Sequence, residues 1–222
     1  MSDIAKRLHE IRATLPAGVD LVAVSKFHPV DRLMDAYRAG QRLFGESRVQ
    51  ELVAKAPQMP ADVHWHFIGH LQTNKVKPLI GHVTLIESVD SVRLLECIDR
   101  HSAEAGAVTR VLMQVHVAAE ETKFGFTPDE LVDFFSQGGH RQLRATQICG
   151  IMGMATNTDN RQRIAADFRA IARTHSRILE VAPDLTGFNT ISMGMSDDYP
   201  LAIECGSTMV RIGTAIFGPR EY

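Results

Sequence analysis

Leu21-Val22-Ala23-Val24-Ser25-Lys26 is a run of four apolar residues leading directly into a serine and a lysine. A continuous apolar run this short suits a strand buried on both faces, as in a parallel sheet. Such a strand delivers its last residue to the carboxyl edge of the sheet, where α/β proteins place their chemistry. Lys26 is read as that last residue. An amine at the mouth of an apolar core loses solvation, which favours its neutral, nucleophilic form. A neutral lysine can condense with an aldehyde. Taken alone, the stretch also allows Lys26 simply to end the strand and reach back to water.

Working outward, Ser2 is placed to cap a helix carrying Ile4, Leu8 and Ile11 on one face, closed by Pro16 and Gly18. Beyond Lys26, short apolar runs at 43–45, 64–69, 84–89, 110–117, 147–155, 187–193 and 209–217 read as further strands. Helical periodicity separates most of them: from Pro29 to Gly40, from Val49 towards Pro57, and over 74–80, 91–105, 159–181 and 196–203. Thr127-Pro128-Asp129-Glu130 reads as a helix start, with a hydroxyl cap and acids in the first turn. Strands alternating with helices imply right-handed βαβ units and a parallel sheet. Eight such units imply a closed (β/α)8 TIM barrel, here with one extra N-terminal helix and residues 1–222 as a single α/β domain.

The totals agree with an ordered globular chain. Of 222 residues, 45% are hydrophobic and 23% charged. The formal net charge of −2 offers no basic field for nucleic acid. No apolar stretch is long enough to span a bilayer, and Met1 to Leu15 lacks the apolar core of a signal peptide. Cys97, Cys149 and Cys205 are scattered, odd in number and without C-x-x-C spacing, which fits reduced thiols in the cytoplasm.

The second informative stretch is Val210-Arg211-Ile212-Gly213-Thr214, on the eighth strand. Gly213 permits close approach of a ligand, Thr214 offers a hydroxyl, and successive N–H groups can form an anion nest. Barrels often bind phosphate at the loops after strands seven and eight. The loop after strand seven carries Ser196, read as the start of a helix whose N–H groups face the same anion. In a closed barrel strand one adjoins strand eight, so Lys26, Arg211 and the nest converge. Together they describe a site for pyridoxal phosphate: aldehyde to lysine, phosphate to the nest, pyridine nitrogen to a side chain.

On these residues the chain resembles the pyridoxal phosphate homeostasis proteins, relatives of the N-terminal barrel of alanine racemase. The resemblance is carried by Val22-Ala23-Val24-Ser25-Lys26, Phe44-Gly45-Glu46, Trp65-His66-Phe67-Ile68-Gly69, Leu71-Gln72 with Asn74-Lys75, Ser192 to Asp198 and Gly206 to Gly218. Glu120 with Lys123 and Gly125 also matches a family loop. The resemblance implies that Lys26 holds pyridoxal 5'-phosphate as a Schiff base. It also implies that Arg211 faces the pyridine nitrogen and that Ser196, Gly213 and Thr214 hold the phosphate, with Ser192 contributing. A guanidinium cannot accept a proton, so the pyridine stays unprotonated and is a poor electron sink. The implied role is intracellular cofactor homeostasis without strong catalysis, in a monomer, with cofactor-dependent apo-enzymes as recipients and neither nucleic acid nor membrane as partner.

The chain departs from the family at Ser47, where many members have Asn, and at His70, where several have Pro. It ends soon after strand eight, where the racemase continues into a β-rich second domain bearing its acid–base tyrosine. None of Tyr37, Tyr199 and Tyr222 is placed by a motif as that base. An amino-acid racemase is therefore the competing reading. A metal-dependent hydrolase is weighed on His64 and His66, which alternate on one strand with His70 and His116 nearby. The absence of further ligand types at strands six and eight argues against it, and one histidine of the pair is expected to pack or hydrogen-bond near the pocket.

Overall fold

The structure is a computed structural model that describes residues 2–119 and 124–219. Glu120, Lys123 and Tyr222, singled out above, lie outside the described residues. Eight parallel strands close into a barrel in sequence order. They are β1 (Asp20–Val24), β2 (Leu43–Glu46), β3 (His64–Phe67), β4 (Leu85–Val89), β5 (Thr109–His116), β6 (Thr146–Met154), β7 (Thr190–Ser192) and β8 (Met209–Ile212). The α-helices are α1 (Asp3–Thr14), α2 (Val30–Arg38), α3 (Val49–Lys55), α4 (Val76–Leu79), α5 (Val92–Glu104), α6 (Pro128–Ser136), α7 (Arg161–Val181), α8 (Tyr199–Glu204) and α9 (Thr214–Phe217).

Strand alternation sorts the apolar residues into two layers. Ala23, Phe44, Trp65, Ile86, Val111, Ile151 and Val210 point outward into the core shared with the helices. Val22, Leu85, Leu112, Cys149, Met152 and Met209 fill the lumen. Both faces of each strand are covered, which is why the strands read as continuous apolar runs. Helix starts follow local chemistry. Thr127 and Glu130 form a reciprocal capping box on α6, and Asn160 accepts the N–H groups of Gln162 and Arg163 to open α7. Among the described residues no helix is long and apolar enough to cross a membrane.

α1 lies outside the βα alternation and packs on α2 and α9. Its Arg12 donates to the Ala39 carbonyl and to Gln41 Oε1, each at 2.8 Å. The Gln41 amide in turn donates to the carbonyls of Leu21 and Leu43, each at 2.7 Å, tying β1 to β2.

Of the boundaries that differ from the sequence expectation, three bear on the site. β1 ends at Val24, so Lys26 sits in the turn beyond the strand rather than as its last residue. β8 ends at Ile212, and Thr214–Phe217 is helix α9 rather than more strand. Ile216 and Phe217 are fully buried there, and a short apolar run cannot by itself tell a buried strand from a buried helical turn. α8 starts at Tyr199, not at Ser196, because Asp198 Oδ1 takes the Met195 N–H at 2.6 Å and holds 195–198 as a turn.

The glycines of the sixth strand have a specific cause. The β5–β6 register shifts between Val111 and Leu112, whose partners are Ile148 and Gly150. Gly150 takes φ +151°, and a Cβ there would stand 1.9 Å from the Thr190 carbonyl oxygen on β7. Gly150→Ala should therefore destabilise the protein by about 3 kcal/mol or more, combining backbone strain and overpacking. Urea unfolding of the two proteins measures it, and an unchanged midpoint would mean that β7 moves aside freely.

Candidate functional site

Barrel closure brings the two informative stretches together. β1 pairs with β8 in the register Val22 with Arg211 and Ala23 with Ile212. One step further on, Val24 meets Gly213, where an added Cβ would lie 3.3 Å from both the Cβ and the carbonyl oxygen of Val24. Glycine is thus what lets the end of β8 lie against the end of β1. Lys26, half-buried, is carried by the turn that follows.

The loop after β7 joins the same rim. The Arg211 N–H donates to the Gly194 carbonyl at 3.0 Å. The Ala215 N–H, in the first turn of α9, donates to Ser196 Oγ at 3.4 Å. Gly194 has φ +96°, and a Cβ there would come within 2.6 Å of the Ala202 Cβ, so the loop needs glycine to fold back. Ser196, Gly213 and Thr214 are therefore gathered beside the end of β1. Ser196 gets there through the N–H of α9 rather than by starting α8.

Ser192 and Arg211 point into the lumen and belong to a buried polar network. Arg211 Nη1 donates to Ser192 Oγ at 2.6 Å, and Nη2 donates to the Gly153 carbonyl at 3.1 Å. Ser192 Oγ donates to Glu87 Oε2 at 2.6 Å, and Arg211 Nη1 lies 3.7 Å from the same oxygen. The other carboxylate oxygen of Glu87 is 2.7 Å from His66 Nδ1. The chain of contacts spans the lumen from β8 and β7 to β4 and β3. Glu87 and Ser192 have no exposed surface, and His66 and Arg211 are 3% and 4% exposed. Burial by itself would raise the Glu87 carboxyl. The His66 hydrogen bond and charge, with the charge of Arg211 and the Ser192 hydroxyl, outweigh burial and hold it below the usual carboxylate value. Burial pulls the Arg211 guanidinium down from its ordinary value, against the pull of Glu87 and Asp198.

Of the histidines weighed for a metal, His66 serves Glu87, while His64 lies exposed at the opposite, N-terminal end of β3. His70 Nδ1 is 3.0 Å from Asp90 Oδ2, and its ring stacks on Phe124 at 3.9 Å between centroids. Among the described residues no group of three or more His, Cys, Asp or Glu is placed to hold a metal. The Tyr37 hydroxyl donates to Asp62 and the Tyr199 hydroxyl lies 2.9 Å from Thr14 Oγ1, so both are engaged outside the lumen.

Sequence reasoning missed Glu87 entirely. Its one available signal is a lone acid inside the apolar strand Leu85-Ile86-Glu87-Ser88-Val89, in alternation with inward-facing Leu85. It also missed Lys55 and Glu51, which read as an ordinary i,i+4 helix pair.

This closed barrel, with a lysine turn on strand one and a hydroxyl-bearing rim at strands seven and eight, has clear counterparts. The family model described as alanine racemase, N-terminal domain, matches residues 1–221. Alanine racemases share the barrel at low identity: that of Enterococcus faecalis is 18% identical, with a TM-score of 0.74 over 98% of this chain and 58% of that one. Much nearer are proteins named pyridoxal phosphate homeostasis protein. The one from Haemophilus influenzae is 37% identical over 92% of this chain and 86% of its own, and that from Pseudomonas aeruginosa is 36% identical over 100% and 98%. The structure of PipY from Synechococcus elongatus with PLP bound superposes with a TM-score of 0.90 at 38% identity, covering 97% of this chain and 100% of that one. The chain belongs to the pyridoxal phosphate homeostasis protein family, within the alanine racemase N-terminal barrel class.

The network sets an acid dependence. Because the native Glu87 value is depressed, its stabilising contribution is complete above the ordinary 4.5 and is lost as pH falls through the lower native value. Glu87→Gln should cost about 3–5 kcal/mol at neutral pH by leaving Arg211 without its buried counter-charge. The gap between the two proteins should close as the pH drops below 4.5. Urea titrations at a series of pH values measure both effects, and a gap independent of pH would place the Glu87 charge outside the stability balance.

Proposed function

We propose that this chain binds pyridoxal 5'-phosphate at the C-terminal mouth of the barrel and holds it covalently on Lys26 as an intracellular store, without strong catalytic activity. The observation that carries the proposal is the convergence of the Lys26 turn, the Ser196–Gly213–Thr214 rim and Arg211 on two adjoining strands. The residues present fit the group. Glycine at 213 opens the approach between β8 and β1, the hydroxyls of Ser196 and Thr214 supply donors for a phosphate, and Arg211 supplies a fixed cation in the lumen. Relatives bearing the homeostasis name, and PipY with PLP bound, support the same assignment.

When bound, the cofactor supplies an aldehyde that takes up an amine. The roles of the protein are to offer, orient and anchor. Lys26 offers the amine. Ser196, Gly213 and Thr214 anchor the phosphate. Arg211, held by Ser192, Glu87 and the Gly153 carbonyl, presents a donor that cannot take a proton and so leaves a facing ring nitrogen unprotonated. Ser192 contributes by orienting Arg211. A racemase needs a second acid–base group on the opposite face of its substrate. The engagement of Tyr37 and Tyr199 elsewhere supports the storage role over that one. The proposed protein is a monomer. Free thiols at Cys97, Cys149 and Cys205 suit the cytoplasm, where apo-enzymes are the proposed recipients.

Borohydride reduction of the cofactor-loaded protein should leave the cofactor mass on the Lys26 peptide and nowhere else, and Lys26→Ala should abolish the label. A label on Lys75 or Lys123 would overturn the assignment. Replacing both Ser196 and Thr214 with Ala should weaken cofactor retention by about 1.5–3 kcal/mol for each charge-assisted hydrogen bond lost. Equilibrium titration reads this directly, and an unaltered affinity would move the phosphate to another part of the mouth.

A further inference from the structure

The turn that carries Lys26 is held by a second lysine. Lys55, at the end of α3, is 8% exposed. Its Nζ donates to the Ser25 carbonyl at 3.1 Å, to Glu46 Oε1 at 2.8 Å and to Glu51 Oε2 at 3.1 Å. An ammonium has three N–H donors, and all three are used. The same carboxylates hold the turn from other sides. Glu46 Oε1 accepts the Ser25 hydroxyl at 2.7 Å, and Glu51 Oε2 accepts the Phe27 N–H at 3.0 Å. The Ser25 carbonyl belongs to the peptide group before Lys26, and the Phe27 N–H to the one after it. Both peptide groups flanking Lys26 are therefore fixed to one ammonium–carboxylate cluster.

The turn needs such a hold. Phe27 has φ +68°, the left-handed region that costs a residue with a Cβ about 1–2 kcal/mol. Among the described residues it is the only non-glycine with positive φ. A relaxed Phe27 would change the course of the backbone directly after Lys26. The cluster itself is costly: burial pushes the Glu46 carboxyl up, against the pull of Lys55 and Ser25, and Glu46 Oε2 is buried without a hydrogen-bond partner among the described residues. Charge buried at such cost beside the Lys26 turn needs a use, and holding the turn supplies one.

We infer that Lys55 is a positioning residue: through Ser25, Glu46 and Glu51 it sets the backbone of the Lys26 turn so that the Lys26 amine meets the cofactor aldehyde. This rests on the proposed function above and deepens it. The bond concerned forms between Lys26 Nζ and the aldehyde carbon, and the carbonyl oxygen leaves as water with the two amine protons. Lys55 takes no part in that exchange. Its effect is confined to alignment, where a displacement of the order of 1 Å can cost roughly a hundredfold.

The test compares two ligands on the full chain: pyridoxal 5'-phosphate, which can condense, and 4-deoxypyridoxine 5'-phosphate, which has a methyl group in place of the aldehyde. Lys55→Met should slow and weaken capture of the aldehyde roughly ten- to hundredfold, while binding of the deoxy ligand stays within about twofold of the parent. Glu51→Ala, at a half-buried position, releases the Phe27 N–H, the Lys55 contact and the exposed Arg48 ion pair, and leaves Lys55 on Ser25 and Glu46. It should show the same selective loss to a smaller degree, and it serves if Lys55→Met does not fold. Equal weakening of both ligands, or unchanged capture of the aldehyde by a folded variant, would overturn the inference. Failure of the proposed function is seen separately, in the parent protein, as no binding of either ligand or as covalent label that survives Lys26→Ala.

Discussion

The pairing of β1 with β8 is the constraint on which the rest depends. Without closure, Lys26 and Arg211 stand 185 positions apart on the two edges of an open sheet. With closure, Val22 faces Arg211 across one ladder, and Gly213 lets the two strand ends touch. Every further contact at the rim, from the Arg211 N–H on the Gly194 carbonyl to the Ala215 N–H on Ser196, builds on that seam. The elements outside the βα alternation reinforce it, with α1 bracing α2 and α9 and Gln41 bridging the β1 and β2 backbones.

Closure also encloses the lumen, and most barrels fill theirs with branched apolar side chains. Here Val22, Leu85, Leu112, Cys149, Met152 and Met209 do so, but part of the lumen is given to Arg211, Ser192, Glu87 and His66. A buried ion pair of this kind seldom adds stability over an apolar filling of the same shape. Its presence fits a demand for a cation held at one place in the mouth. Arg211 could not be held there by packing alone, since a guanidinium in a dry lumen needs acceptors for its donors and a charge to oppose its own.

The architecture was legible in the sequence because burial on both faces leaves a strong mark: each strand is a short apolar run, and the helices between keep their period. The strand and helix ends were less so. The end of β8 was misplaced because Ile216 and Phe217 are buried in helix as they would be in strand, and the start of α8 because an aspartate folds residues 195–198 into a turn. Lys26, Arg211, Gly213, Ser196 and Thr214 stand out in the sequence by their positions at strand ends and loops. Glu87 and Lys55 do not, since what each does depends on partners far away along the chain. A single acid in an apolar strand, or a lysine four residues after a glutamate, carries no local sign of Ser192 or Ser25.

The complete engagement of Lys55 has a consequence for selectivity between amines. Two lysines serve one turn, and an aldehyde arriving at the mouth can in principle modify either. The Lys55 nitrogen is held on one backbone carbonyl and two carboxylates, so all three of its donor directions point into the protein. The contacts that hold the turn in shape thus also turn its supporting amine away from an arriving aldehyde.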